Sequence, residues 1–188
     1  MSIIRLSDYS VLWGKWNGYF RNAECSRRRY LHAEGKTFPW SLANAQRGAC
    51  AELALCEWKG WPWRAPINTF KNDSDLPGGI EVRSKSERCS YMVLKLKERA
   101  YAADRIFVSM TCMCDSLCIP ADPMSVWRID GWELGSVIMA EPIVPDQWSG
   151  EAWHYPTSQL RSSTTLAAEM ERRHWEPNYA RPMEGVAA

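Results

Sequence analysis

The hydrophobic period changes twice along this chain, and that constrains the fold more than any single motif does. Near the start, Tyr9, Leu12, Trp16, Tyr19 and Phe20 recur at helical spacing, with Ser7 placed as an N-cap. The pattern predicts a helix over residues 7–34, ended by Gly35, although Gly14 and Gly18 lower its intrinsic propensity. Ser41 opens a second predicted helix over residues 42–59, stopped by Gly60. The period then shortens. Runs at 80–84, 91–96, 105–110, 126–129 and 131–134 are brief and rich in branched and aromatic residues, as strands are. From Pro142 the chain is rich in Pro and Trp and reads mostly as loop, with a short element at 158–161. Helical spacing returns over 164–174, and 176–188 reads as a frayed tail. Helices, a run of strands and a closing helix predict an α+β or mixed α/β domain.

Composition excludes several classes. With 188 residues, 46% of them hydrophobic, the chain can bury a real core. Its 23 basic and 22 acidic residues leave a net charge of +1, which argues against a uniformly basic nucleic-acid coat and against a disordered polyelectrolyte. No apolar run reaches the ~18–20 residues of a membrane span. The first eight residues do not read as a signal peptide, because Asp8 and polar positions interrupt any apolar stretch. Seven cysteines cannot all pair, so a reducing compartment is expected, and the expected location is the cytoplasm. Eleven Trp are far more than usual, and most are expected to pack the interior.

The chemistry-bearing region runs from Gly48 to Lys85. On the second helix, Glu52 shares a face with Ala45, Ala49 and Cys56, so its carboxylate can sit against another element. A solvated Glu, or a partner for Arg47, is the plainer reading. Asp75 follows in a loop, then Gly78 and Gly79, then the strand Ile80-Glu81-Val82-Arg83-Ser84-Lys85. Strand alternation turns Ile80 and Val82 to the core and sets Glu81, Arg83 and Lys85 in one row on the other face. Carboxylates at Asp75 and Glu81 suit a hard divalent cation, and a cation two residues on suits a phosphate. A surface strand with cross-strand ion pairs is the plainer reading.

Several segments together form one ordered pattern. They are residues 47–54, Asn68-Thr69-Phe70, Asp75 with Glu81-Val82-Arg83, residues 127–132 and residues 156–160. The pattern resembles a group of small bacteriophage-encoded proteins related to the PD-(D/E)XK nuclease superfamily, over roughly residues 40–161. The resemblance implies a restriction-endonuclease-like core, a central mixed β-sheet flanked by helices, spanning 37–166. A helical extension (1–36) precedes it, and a C-terminal helix and tail (167–188) follow. It also implies cleavage of DNA phosphodiesters with Mg²⁺ or Mn²⁺, in the host cytoplasm if the chain is phage-encoded. Its motif carries onto Glu52, Asp75 and Glu81 as catalytic and metal-ligating acids. Arg83 stands where the motif has lysine. Arginine stays charged and is a poor general base, so Lys85, one pleat further on, becomes the candidate for the missing ammonium. A nuclease-fold protein with weak or no activity, binding DNA or a protein partner, is the alternative.

Other motifs are weaker. Cys112, Cys114 and Cys118 invite a zinc reading, but their spacing fits paired zinc knuckles poorly. Dinucleotide fingerprints, Walker loops and HExxH patterns are absent from the sequence. Basic residues gather in two segments: Arg21, Arg27, Arg28, Arg29 and Lys36, and then Arg83, Lys85, Arg88, Lys95, Lys97 and Arg99. Residues 130–151 hold five acids and no Lys or Arg. A polarised surface follows, with Arg27, Arg28, Arg29, Lys85 and Arg88 as candidate DNA-phosphate contacts. The sequence leaves the oligomeric state open.

Overall fold

A computed structural model describes residues 2–27, 38–65, 74–113, 124–146 and 150–174. The described elements in chain order are β1 (Ser2–Arg5), α1 (Asp8–Arg27), α2 (Phe38–Lys59), β2 (Ile80–Ser86), β3 (Tyr91–Lys95), α3 (Arg99–Ala102), β4 (Ile106–Cys112), β5 (Val126–Leu134), α4 (Gly135–Ile138), β6 (Ile143–Asp146), β7 (Gly150–Pro156) and α5 (Ser163–His174). Single 3₁₀ turns lie at Leu96–Glu98 and Thr157–Gln159. The chain is α+β, with five α-helices and two sheets among the described residues. No described helix is long and apolar enough to cross a membrane.

The first sheet is mixed, in the order β1-β5-β4-β2. β2 runs parallel to β4, with Ile80 opposite Ile106 and Arg83 opposite Ser109, and the other pairs are antiparallel. The expected alternation on β2 is present. Ile80 and Val82 join Val108, Met110, Trp127, Ile129 and Trp132 in one buried cluster, which α2 and α5 cover through Leu53, Leu55, Leu166 and Met170. Glu81, Arg83 and Lys85 face the other side.

A second, antiparallel sheet, β3-β7-β6, was not expected. It packs over Phe107 with Met92, Leu94, Ala102, Ile138, Trp153 and Tyr155. Its strands β6 and β7 occupy the stretch read as loop from Pro142. Pro145 is tolerated because β6 lies at the sheet edge, where a missing N–H interrupts no central ladder. Two other boundaries differ. The runs at 126–129 and 131–134 form one strand, β5, carried past Asp130 by a bulge opposite Ser109 and Met110. α2 starts at Phe38, ahead of the expected Ser41 cap, with Pro39 in its first turn.

α1 is turned inside out relative to its sequence pattern. Its buried side is Val11, Gly14, Asn17, Gly18 and Asn22, packed against α2. A Cβ on Gly18 would stand 2.4 Å from Gln46 Cα, and one on Gly14 would stand 2.6 Å from Cys50 Sγ. The glycines that weaken the helix locally are what lets two helices approach so closely. The apolar stripe of Tyr9, Leu12, Trp16, Tyr19 and Phe20 faces outward. The segment read as an extension thus supplies an edge strand and a helix packed on α2.

Candidate active site

A tight reversal brings Asp75 to β2. Leu76 and Ile80 exchange backbone hydrogen bonds, N–H to O, at 3.0 and 3.4 Å. Gly78 and Gly79 take φ of 82° and 71° between them, a region open to glycine at little strain. The chain therefore folds back on itself, and Asp75 Oδ2 accepts the backbone N–H of Val82 at 2.8 Å. β2 ends the sheet, so that N–H would otherwise lack a strand partner. One aspartate thereby seals the edge and stands at the start of the charged row.

Glu81 is buried, and its two oxygens meet two arginines. Oε1 accepts from Arg105, and Oε2 lies 3.4 Å from Arg83 Nη1. Arg105 immediately precedes β4, which parallel pairing places beside Gly79 and Glu81. Arg83 Nη2 reaches Glu98 Oε2 at 3.0 Å, and Arg83 Nη1 lies 4.0 Å from Asp75 Oδ2. Its guanidinium carbon sits 5.0 Å from the Phe107 ring centroid.

Glu52 completes the cluster from α2. Residues 49–56 are all buried, because α2 lies between α1 and the mixed sheet. The Glu52 carboxylate is only 3% exposed, and Arg21 of α1 forks onto both of its oxygens at 2.5 and 2.6 Å. Its partner is thus Arg21, not Arg47, which donates to Asn44 Oδ1.

Electrostatics tie these groups together. Burial drives Glu52 up from 4.5 to about 7; Arg21 opposes the shift and the charge of Asp75 reinforces it. Glu81 moves the same way, through burial and then Asp75, against Arg83 and Arg105. Asp75 thus lies within the field of both glutamates. Burial disfavours the Arg83 charge, but Glu98, Glu81 and Asp75 outweigh it and raise its pKa, so Arg83 stays protonated at any working pH. The Cys56 thiol is pushed up to about 12 by burial and by Glu52, which leaves it unreactive.

Lys85 does not serve this cluster. It shares the Glu81 face, but its ammonium lies 3.0 Å from Asp130 Oδ2 and donates to the Cys89 carbonyl at 2.7 Å. The β5 bulge aims Asp130 there, where Thr111, Ser109 and Arg128 also bind it. With its side chain 9% exposed, Lys85 is also withdrawn from DNA phosphates. Of the other candidate phosphate contacts, Arg88 is exposed on the turn after β2, and Arg27 is exposed but forked onto Glu24. Arg28 and Arg29 lie outside the described residues. The acidic stretch is only partly a surface, with Glu141 and Glu151 exposed. Asp130, Glu133 and Asp146 turn inward onto Lys85, Arg161 and His154.

Arg21, Glu98 and Arg105 were missed as site residues. Arg21 and Glu98 were visible only as members of charged segments, and nothing local marks Arg105. Asn68, Thr69, Phe70, Cys114 and Cys118 also lie outside the described residues. Cys25, Cys50, Cys56, Cys89 and Cys112 are thiols. Among the described residues, no three His, Cys, Asp or Glu groups form a ready-made metal cage. The donor chemistry of Glu52, Asp75 and Glu81 still suits a hard divalent cation, because carboxylate oxygens are the ligands such an ion takes. In this geometry guanidinium groups supply the positive charge.

Neither a family model, nor a curated protein, nor a solved structure matches this chain.

Proposed function

We propose that this chain is a divalent-metal-dependent DNA phosphodiesterase, of phage affinity, on a restriction-endonuclease-like variant of its α+β fold. One observation carries the reading. Asp75, in the turn before β2, lies in the field of both Glu52 on α2 and Glu81 on β2, in the order the resemblance implies, and Arg83 stands against Asp75 and Glu81.

Asp75 and Glu81 would hold Mg²⁺ or Mn²⁺, with Glu52 behind them. Such an ion lowers the pKa of an attacking water and offsets charge on the phosphate. Arg83 cannot accept a proton, so it positions Glu81 and offers N–H donors to a phosphate oxygen. A carboxylate of the cluster would then take the proton-accepting role that lysine has in the motif. Exposed Lys97 and Arg99 flank Glu98, the Arg83 partner, and with Arg88 they give the DNA backbone a basic approach.

Arg21 and Arg105 on the carboxylates favour a second reading, a nuclease-derived protein that binds DNA without cutting it. Purified protein incubated with supercoiled and linear DNA, in Mg²⁺, Mn²⁺ or chelator, separates the two. The expected result is metal-dependent cleavage, reduced at least ~100-fold in Asp75→Ala and Glu81→Ala. Cleavage unchanged in both variants would overturn the assignment. Salt-sensitive binding by a wild-type chain that never cuts would establish the second reading.

A further inference from the structure

The outward face of α1 is the largest anomaly in the molecule. Tyr9 is 77% exposed, Leu12 55%, Trp13 49%, Trp16 50%, Tyr19 43% and Phe20 48%. A helix that hides glycine and asparagine while showing six large apolar side chains reverses the usual arrangement. The rings are already assembled. Trp16 stacks on Phe20 at 5.9 Å and 29°, and meets Tyr19 edge-on at 6.1 Å.

We infer that this face binds a second copy of the chain, through antiparallel pairing of the two α1 helices. Three observations favour that occupant. The first is spacing. Residues 9, 12, 16 and 19 fall on the alternating three- and four-residue steps of a heptad seam, with 13 and 20 beside it, which is the pattern a partner helix reads. The second is area. Five aromatic side chains and a leucine, each about half exposed or more, present on the order of 700 Å², close to the share per partner of a standard-size interface. That exceeds the ~300–600 Å² of the largest apolar patch on an ordinary monomer. The third is charge. An antiparallel pair opposes the two α1 dipoles, whereas a parallel pair would set like ends together; Arg27 takes no part, being forked onto Glu24. The twelve residues from Tyr9 to Phe20 span about 18 Å, with Trp16 near the middle.

The pairing surface is independent of the proposed chemistry, and its test uses no activity. Sedimentation velocity and light scattering on the full chain, across the micromolar range, read the mass directly. The expected result is a dimer of twice the 21.6 kDa chain mass. In Trp16→Glu/Phe20→Glu the dissociation constant should rise at least ~100-fold while the far-UV circular dichroism is unchanged, since both side chains point outward. A milder Tyr9→Ser/Trp13→Ser variant should weaken the dimer as well, and reports if the first variant misfolds. A wild-type monomer across that range overturns the inference. So does a dimer equally stable in both variants. A monomer that instead carries these rings onto anionic vesicles, or onto a single-stranded oligonucleotide, gives the face to another occupant and overturns it too.

Discussion

Glu52 shows what a residue type can and cannot say. Its helical position among small residues was legible, and so was its freedom to lie against another element. Its partner was not, because Arg21 is thirty-one positions away and arrives only when α1 docks. Burial makes its titration a stability term. The folded carboxyl is held at about 7 against an ordinary 4.5, so between those values the folded chain binds more protons than the unfolded one. The stabilisation is complete below pH 4.5 and is lost as pH rises through 7. Glu81 is shifted in the same direction. Asp130 and Glu169 are shifted downward, and their contributions are lost only at lower pH. The metal-free protein should therefore melt at a lower temperature at pH 8 than at pH 5.5. Glu52→Gln keeps an acceptor for Arg21 and should shrink that difference by about 2–4 °C in thermal melts. An unchanged difference would show that Glu52 is ionised in the fold throughout.

At the scale of elements, local pattern carried well where one face is buried and poorly elsewhere. β2 was legible because its core residues alternate with charged ones, and β4 because it is apolar nearly throughout. β6 and β7 were not, since proline and tryptophan read as loop until an edge strand accommodates them. β5 was split at Asp130-Gly131, where a bulge bends the strand without ending it. The apolar spacing of α1 marked a helix but not its faces, because a stripe alone cannot say whether it meets the core or the outside. Its inner face can be tested directly. Gly18→Ala would set a Cβ against the backbone of Gln46 and Ala45, which cannot yield as a flexible side chain could. The expected cost is about 2–3 kcal/mol by urea denaturation. Gly48→Ala has nothing within 4 Å and should be neutral or stabilising by about 0.5–1 kcal/mol. Equal effects in the two variants would contradict the close α1–α2 packing.

At the scale of the molecule, the site depends on topology that no local pattern reveals. Glu52, Asp75 and Glu81 were named from the sequence, and each comes from a different element. Of the arginines that neutralise them, Arg83 was named and Arg21 and Arg105 were not. Arg105 meets Glu81 only because β2 and β4 run parallel, and Lys85 is drawn away only because a bulge presents Asp130. Near-zero net charge likewise concealed its own arrangement. Of the five acids in 130–151, Asp130, Glu133 and Asp146 are internal partners and Glu141 and Glu151 are exposed, while Arg88, Lys97 and Arg99 are exposed around the turn after β2 and beside Glu98. The central claim is that the three acids form one cation site. Calorimetric titration of Mn²⁺ into the metal-free chain and into Asp75→Asn measures it most directly. The account predicts one saturable site in the wild type, weakened at least ~10-fold in Asp75→Asn with the fold intact by circular dichroism. Equal affinity in the two proteins, or no binding by the wild type, would contradict it.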